Sequence, residues 1–194
     1  MKKLLISGFE PFGGEVINPS WEAVVRLPNE INGYSLNKML IPVVFKDAAK
    51  MLIDAADKMG ADVILAIGQA AGRSAITPEL VGINLRHASI PDNGGNRPQD
   101  EPIAKGGAAA FFTTVPVRKM AEAISNIGIS SSVSYSAGAY VCNDVLYTLL
   151  SRYEGSKTRV GFIHIPYSKE QNKDPSMELS DIVKALTVAI ENID

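Results

Sequence analysis

The chain has 194 residues, 46% hydrophobic and 21% charged, which argues against disorder and suits a single domain spanning residues 1–194. Nineteen Lys and Arg against twenty-one Asp and Glu leave a formal charge of −2, giving no electrostatic reason to expect a nucleic-acid or membrane partner. One cysteine (Cys142) and two histidines (His87, His164) exclude an intrachain disulfide and leave too few soft ligands for a zinc site, so no metal is expected.

Met1-Lys2-Lys3 and Leu4-Leu5-Ile6 imitate the start of a signal peptide. The apolar run stops at Ser7-Gly8, too short for an h-region, so a cytoplasmic location is expected. Leu4–Ser7 reads as a buried strand. Asn18-Pro19-Ser20 reads as a helix start whose apolar face carries Trp21, Val24, Val25 and Leu27. Met39–Val44 reads as a strand despite Pro42, and Ala48–Met59 as a helix with Ala49, Leu52, Ile53 and Ala56 on one face. Asp62–Ile67 is a solid apolar strand closed by Gly68. Leu80–Ile90 reads as mostly extended, with Val81, Ile83 and Leu85 alternating against Gly82, Asn84 and Arg86.

Residues 91–107, rich in Gly, Pro and polar side chains, form a loop long enough to suggest a function as a flap or contact surface. Beyond it the pattern predicts a helix at Arg118–Ile127, a short strand at Ser132–Tyr135 and a longer helix at Ala139–Tyr153. Val160–Ile165 then reads as an apolar strand and Met177–Ile193 as an amphipathic helix. Solid apolar strands are usually covered on both faces. Their alternation with amphipathic helices predicts an α/β fold: a three-layer α/β/α sandwich around a mostly parallel or mixed twisted sheet. Ligands of such sheets bind beyond the carboxyl ends of the strands.

Three segments follow apolar strands in that position: the glycine-rich turn after Ser7, the Gln69 turn after Ile67, and His164 near the end of its strand. The loop GFEPFGG at 8–14 lacks the Lys of a P-loop and the spacing of a dinucleotide fingerprint. Phe9 and Phe12 instead suit a flat, uncharged group, or are simply core. Cys142 lies at the start of a helix, where the dipole favours thiolate and free N–H groups can hold an oxyanion. A small buried hydrophobe is the bland alternative. His164 ends a strand at the same edge, within reach of Cys142, and is otherwise a structural histidine; His87 has a weaker claim. A histidine base needs a third group to fix its tautomer, and Glu79, Asp92 and Glu10 all remain open on spacing.

At this point the blocks GFEPFGGEVINPSWEA (8–23), GQAAGRSAITPE (68–79), GIN and IPDNGGN (within 82–96), SAGAYVCNDVLY (136–147) and GFIHIPYSKEQ (161–171) together resemble the pyroglutamyl peptidase I family. The resemblance implies a cysteine peptidase that removes N-terminal pyroglutamyl residues from peptides, without cofactor or metal. It implies Cys142 as nucleophile, His164 as base and then acid, and Glu79 as the orienting carboxylate. Phe9 and Phe12 would line the pyrrolidone pocket, with Ile90, Tyr140 and Val141 as further apolar walls and Gln69 nearby. It also implies a homodimer or homotetramer. A neutral lactam calls for such walls, and an ordinary N-terminal ammonium would be buried there at high cost.

Four positions depart from the family pattern. Ser89 stands where arginine is frequent. Asp144, two residues after Cys142, is expected to raise the thiol pKa by like-charge repulsion. Ala70-Ala71 replaces Gly-Gly in part and is expected to crowd its turn. A non-catalytic binder of small neutral metabolites remains the alternative, and a phosphorylase-like enzyme is weaker for want of a phosphate-binding cluster.

Overall fold

Two hydrophobic cores, one on each face of a central sheet, organise residues 1–194 in the computed structural model. In chain order the elements are β1 (Lys2–Phe9), α1 (Pro19–Arg26), β2 (Glu30–Ile31), β3 (Tyr34–Ile41), α2 (Asp47–Met59), β4 (Val63–Gln69), β5 (Thr77–Pro78) and β6 (Val81–Ile83). There follow β7 (Ala110–Phe112), α3 (Val117–Asn126), α4 (Val141–Arg152), β8 (Arg159–Ile165), β9 (Tyr167–Ser168), a 3₁₀ turn (Lys169–Gln171), β10 (Ser176–Met177) and α5 (Leu179–Glu191). The central sheet has the order β2-β3-β1-β4-β8-β5. Its four inner strands are parallel and its two short edge strands antiparallel, so the sheet is mixed.

Period-two alternation sends Leu4, Ile6, Val63, Leu65, Ile67, Ile163 and Ile165 to the core under α1, α3 and α5. Leu5, Ile64, Ala66, Val160 and Phe162 face the core under α2 and α4. These are the three expected layers. The parity places His164, two residues after Phe162, on the α4 side. Because α4 leads into β8, its first turn stands over the carboxyl end of that strand.

Several boundaries differ from the sequence reading. The third strand is Tyr34–Ile41 rather than 39–44, because Pro42 has no N–H to extend the ladder. Val25 is 40% exposed, outside the buried face of α1. The segment 80–90 is a strand only at Val81–Ile83, with reversed burial: Gly82 is buried, whereas Val81 and Ile83 are partly open. A Cβ at Gly82 would lie 2.9 Å from the Tyr147 backbone nitrogen of α4, so the segment rests directly on that helix. The Asn143 side chain accepts from Ile83 N and donates to the carbonyls of Ile83 and Leu85, each at 2.9 Å, in place of a neighbouring strand.

Residues 132–135 form no strand; isolated bridges pair Ser131 with Ile76 and Ser134 with Glu79. The short β7, inside a stretch without clear periodicity, pairs with β6. No helix is long and apolar enough to cross a membrane.

Candidate active site

A cavity of about 330 Å³ opens beyond the carboxyl ends of β1, β4 and β8, and the first turn of α4 forms one wall. Its lining includes Phe9, Phe12, Gln69, Tyr140, Val141, Cys142 and His164. Those sequence-predicted residues are therefore brought together. Ile90 is not: it is 47% exposed and outside the lining. The reason is local, since Tyr140 Oη donates to Pro91 O at 3.1 Å and holds this segment to the rim.

His164 is paired in register with Gly68 of β4 on one side and Thr77 of β5 on the other. Beyond Thr77 the chain stays alongside β8, with Glu79 N donating to Phe162 O at 2.9 Å. That course brings Glu79 Oε1 to 2.7 Å from His164 Nδ1. A carboxylate only accepts, so Nδ1 carries the proton and Nε2 is the basic nitrogen. Both residues are almost wholly buried, Glu79 at 0% and His164 at 4% exposure.

Arg73, which the sequence reading passed over, donates to the same Glu79 oxygen at 2.6 Å and to Thr77 Oγ1 at 2.5 Å. Its other terminal nitrogen reaches Ser136 O at 3.0 Å, in the loop that leads to Cys142. The only advance sign was its place in the turn after an apolar strand. Glu79 Oε2 is buried without a partner in hydrogen-bonding geometry, the Ser134 hydroxyl being the neighbouring polar group.

Cys142 is the second residue of α4, and no side chain caps that helix. The N–H groups of its first turn therefore lack intrahelical acceptors. The opposite strand makes room: a Cβ at Gly68 would lie 3.0 Å from Cys142 Sγ and 2.7 Å from Phe162 Cζ. Burial pushes the thiol up to about 12; the charge of Glu79 adds to this and that of Arg73 opposes it. Burial likewise pulls His164 below its ordinary value, outweighing the Glu79 contact that favours its charged form. Burial alone would raise Glu79, but its hydrogen bond to His164, their mutual charge attraction and the Arg73 charge hold it below the usual range. These shifts favour the thiol over the thiolate and the neutral imidazole over the imidazolium.

The other open carboxylates are engaged elsewhere. Asp92 accepts from Phe45 N, Gly94 N and Asn96 N, whereas Glu10 accepts from Val43 N and Asn93 Nδ2. His87 pairs with Asp100 on the surface. Asp144 does not threaten the thiol as expected: its oxygens accept from Arg86 Nε at 2.5 Å and Lys46 N at 2.8 Å. Glu79 is the carboxylate that acts on Cys142. Ser89 is exposed, and Ala70 and Ala71 line the cleft.

The aromatic wall is cross-braced. Tyr140 packs 6.4 Å from Phe12 and edge-on to Phe45 at 5.3 Å, centroid to centroid. Asn18 also lines the cavity. Its helix-capping role, accepting from Ser20 N and Ser20 Oγ, is the signal visible in sequence and hides the second one. The ensemble combines a thiol, an oriented neutral imidazole, free N–H groups and apolar walls, which together can carry out acyl transfer on an uncharged ring.

A family model described as pyroglutamyl peptidase matches residues 2–194. A pyrrolidone-carboxylate peptidase of Levilactobacillus brevis is 48% identical, covering 98% of this chain and 97% of that protein. One from Thermococcus kodakarensis is 46% identical, with 98% and 95% covered. The crystal structure of Bacillus amyloliquefaciens pyroglutamyl peptidase I superposes with a TM-score of 0.94 at 46% identity, covering 100% of this chain and 97% of that one. The pyrrolidone carboxyl peptidase of Thermococcus litoralis gives 0.94 at 36% identity, with 100% and 93% covered.

Proposed function

This chain belongs to the pyroglutamyl peptidase family, cysteine peptidases that remove N-terminal pyroglutamate, and from that premise we propose how its cleft performs the reaction. Cys142 attacks the pyroglutamyl carbonyl while His164 Nε2 takes the thiol proton. Glu79 holds Nδ1–H and stabilises the imidazolium that forms. The N–H groups at the start of α4 receive the developing oxyanion. His164 then protonates the departing amine, releasing the shortened peptide and leaving a thioester on Cys142. Water, deprotonated by the same imidazole, hydrolyses the thioester and frees pyroglutamate.

Phe9, Phe12, Tyr140 and Val141 form the walls against the lactam ring, and Gln69 is its polar neighbour. One observation carries this reading: the histidine that Glu79 grips at 2.7 Å lines the same cavity as the molecule's single thiol.

The test is hydrolysis of a chromogenic pyroglutamyl anilide. Cys142→Ala is expected to lose at least about 10³-fold in kcat, and Glu79→Gln to lose on the order of 10³-fold through the wrong imidazole tautomer. Asp92→Asn, outside the cleft, is expected to lose far less. Undiminished turnover by Cys142→Ala would overturn the thiol mechanism.

Residues 1–194 act in this reading as one domain on peptide substrates. A nucleophilic thiol needs a reducing compartment, which supports a cytoplasmic setting. Self-association as a dimer or tetramer belongs to the same reading, supported by exposed Phe112 (71%) and Tyr135 (63%). Light scattering on the eluting protein tests it, and a monomer at micromolar concentration would remove it.

A further inference from the structure

Gln69 ends β4 with its side chain in the wall of the cleft, 8% exposed. Its amide could in principle present either an acceptor oxygen or an NH₂ donor to a bound ring, and the two ends have nearly the same shape. Which end faces the cleft therefore decides what the cleft recognises. The neighbouring residues remove the ambiguity.

Gln171 closes the 3₁₀ turn after β9 in a capping box with Ser168. The Ser168 backbone N–H can only donate, and it meets Gln171 Oε1 at 3.1 Å. The other end of the Gln171 amide faces Glu15 Oε2 at 3.3 Å, and Glu15 is kept ionised by its Lys173 partner. A carboxylate can only accept, so this end must be NH₂. The same Gln171 Nε2 reaches Gln69 at 2.9 Å, and the Gln69 atom that receives it must be Oε1. Gln69 Nε2 then has no partner within the protein and is left for the cleft.

We propose that Gln171, held between Ser168 and Glu15, fixes the amide of Gln69 so that the cleft presents an N–H donor to the ring carbonyl of the pyroglutamyl group. Gln171 touches no substrate and is a positioning residue that sets specificity through Gln69. The inference rests on the reading of this cleft as the pyroglutamyl pocket.

Gln171→Glu, made in a Glu15→Gln background that serves as its reference so that no second carboxylate faces Glu15, separates the role from folding. Glutamate preserves the capping box, because its oxygen still accepts from Ser168 N, but it offers only acceptors to Gln69. The Gln69 amide then turns its NH₂ toward residue 171 and its oxygen toward the ring carbonyl. The measurements are kcat and KM for a pyroglutamyl anilide and the inhibition constant of 2-pyrrolidone, which carries the lactam without a scissile bond. They are made on the wild type, the Glu15→Gln reference and, in that background, Gln171→Glu, Gln69→Met and the two together (the double variant), after thermal melts show each is folded.

Gln171→Glu is expected to raise KM and the 2-pyrrolidone constant together by about tenfold, with kcat within about twofold, as for one lost or reversed hydrogen bond. In the Gln69→Met background the same change is expected to add nothing. If Gln69→Met weakens binding but Gln171→Glu leaves both constants unchanged, the positioning role falls and the pocket reading survives. An equal further loss in the double variant also overturns it. If Gln69→Met itself changes neither constant, the assignment of Gln69 to the pocket fails and the proposal with it.

Discussion

Asp144 lies only two residues from the thiol, yet it is turned toward Arg86 and the start of α2, whereas the sequence-distant Glu79 acts on the site. Charge at this site follows side-chain direction and not sequence distance. The same principle gives Arg73 its importance. Its guanidinium and His164 share Glu79 Oε1, so the carboxylate is divided between two cationic claims. The groups that set the charge of His164 are Glu79, which favours imidazolium, and Arg73, which opposes it, against a background of burial. Removing Arg73 leaves Glu79 acting on the imidazole alone and raises the His164 pKa. The neutral base then appears only at higher pH, so Arg73→Met is expected to move the acid limb of kcat/KM upward from below 6.5. An acid limb that stays in place would exclude an electrostatic role for Arg73. The raised thiol makes a second forecast: alkylation of the free protein by iodoacetamide, which reads one cysteine, should still be accelerating above pH 9. A plateau reached below pH 8 would mean a resting thiolate. Cys142 and His164 were legible from the sequence because thiols and imidazoles are scarce in it. Glu79 was not separable from Asp92 and Glu10 by spacing; the family resemblance singled it out, and in the structure the course of the chain past Thr77 brings it to His164.

Between elements, the tight spot is Gly68 of β4, which meets Phe162 of β8 and Cys142 of α4. The Phe162 ring and the Cys142 sulfur together leave no room for a methyl group at position 68 unless one of them shifts. Gly68→Ala must push Phe162 or the sulfur aside, and it is expected to lower kcat by tenfold or more while the protein remains folded. Comparing kcat with the melting temperature checks this, and full activity would mean that the sulfur position is not critical. The helix also does work that pattern reading assigns to strands, since Asn143 satisfies the backbone of 83–85. Alternation along 80–90 therefore misled: Gly82 had no side chain to announce burial, and the hydrogen-bond partner lay on a helix. Long apolar strands and amphipathic helices were legible because their burial repeats. Short pieces such as β7, paired through distant partners, carry no period to read.

Over the whole molecule, burial in a core separates apolar residues of similar character. Met120 on α3 is fully buried in the larger cluster, whereas Val25 on α1 is 40% exposed. Met120→Ala is expected to cost about 2–5 kcal/mol and Val25→Ala under about 0.5 kcal/mol by urea unfolding. Similar losses for the two would contradict the layer assignment. Acid should weaken the fold through the site itself. His164 and Glu79 both have folded-state pKa values below their ordinary 6.5 and 4.5. The unfolded chain therefore binds more protons, first as pH falls through 6.5 and again through 4.5. Stability present at pH 7 is lost progressively in that direction, and a urea midpoint no lower at pH 4.5 than at pH 7 would disprove the linkage.

The lone thiol, seated in the wall of the cleft, ties the molecule's whole sulfhydryl chemistry to its working centre. Counting reactive sulfhydryls per chain becomes a census of intact centres, so oxidative damage during storage can be tallied before any substrate is added.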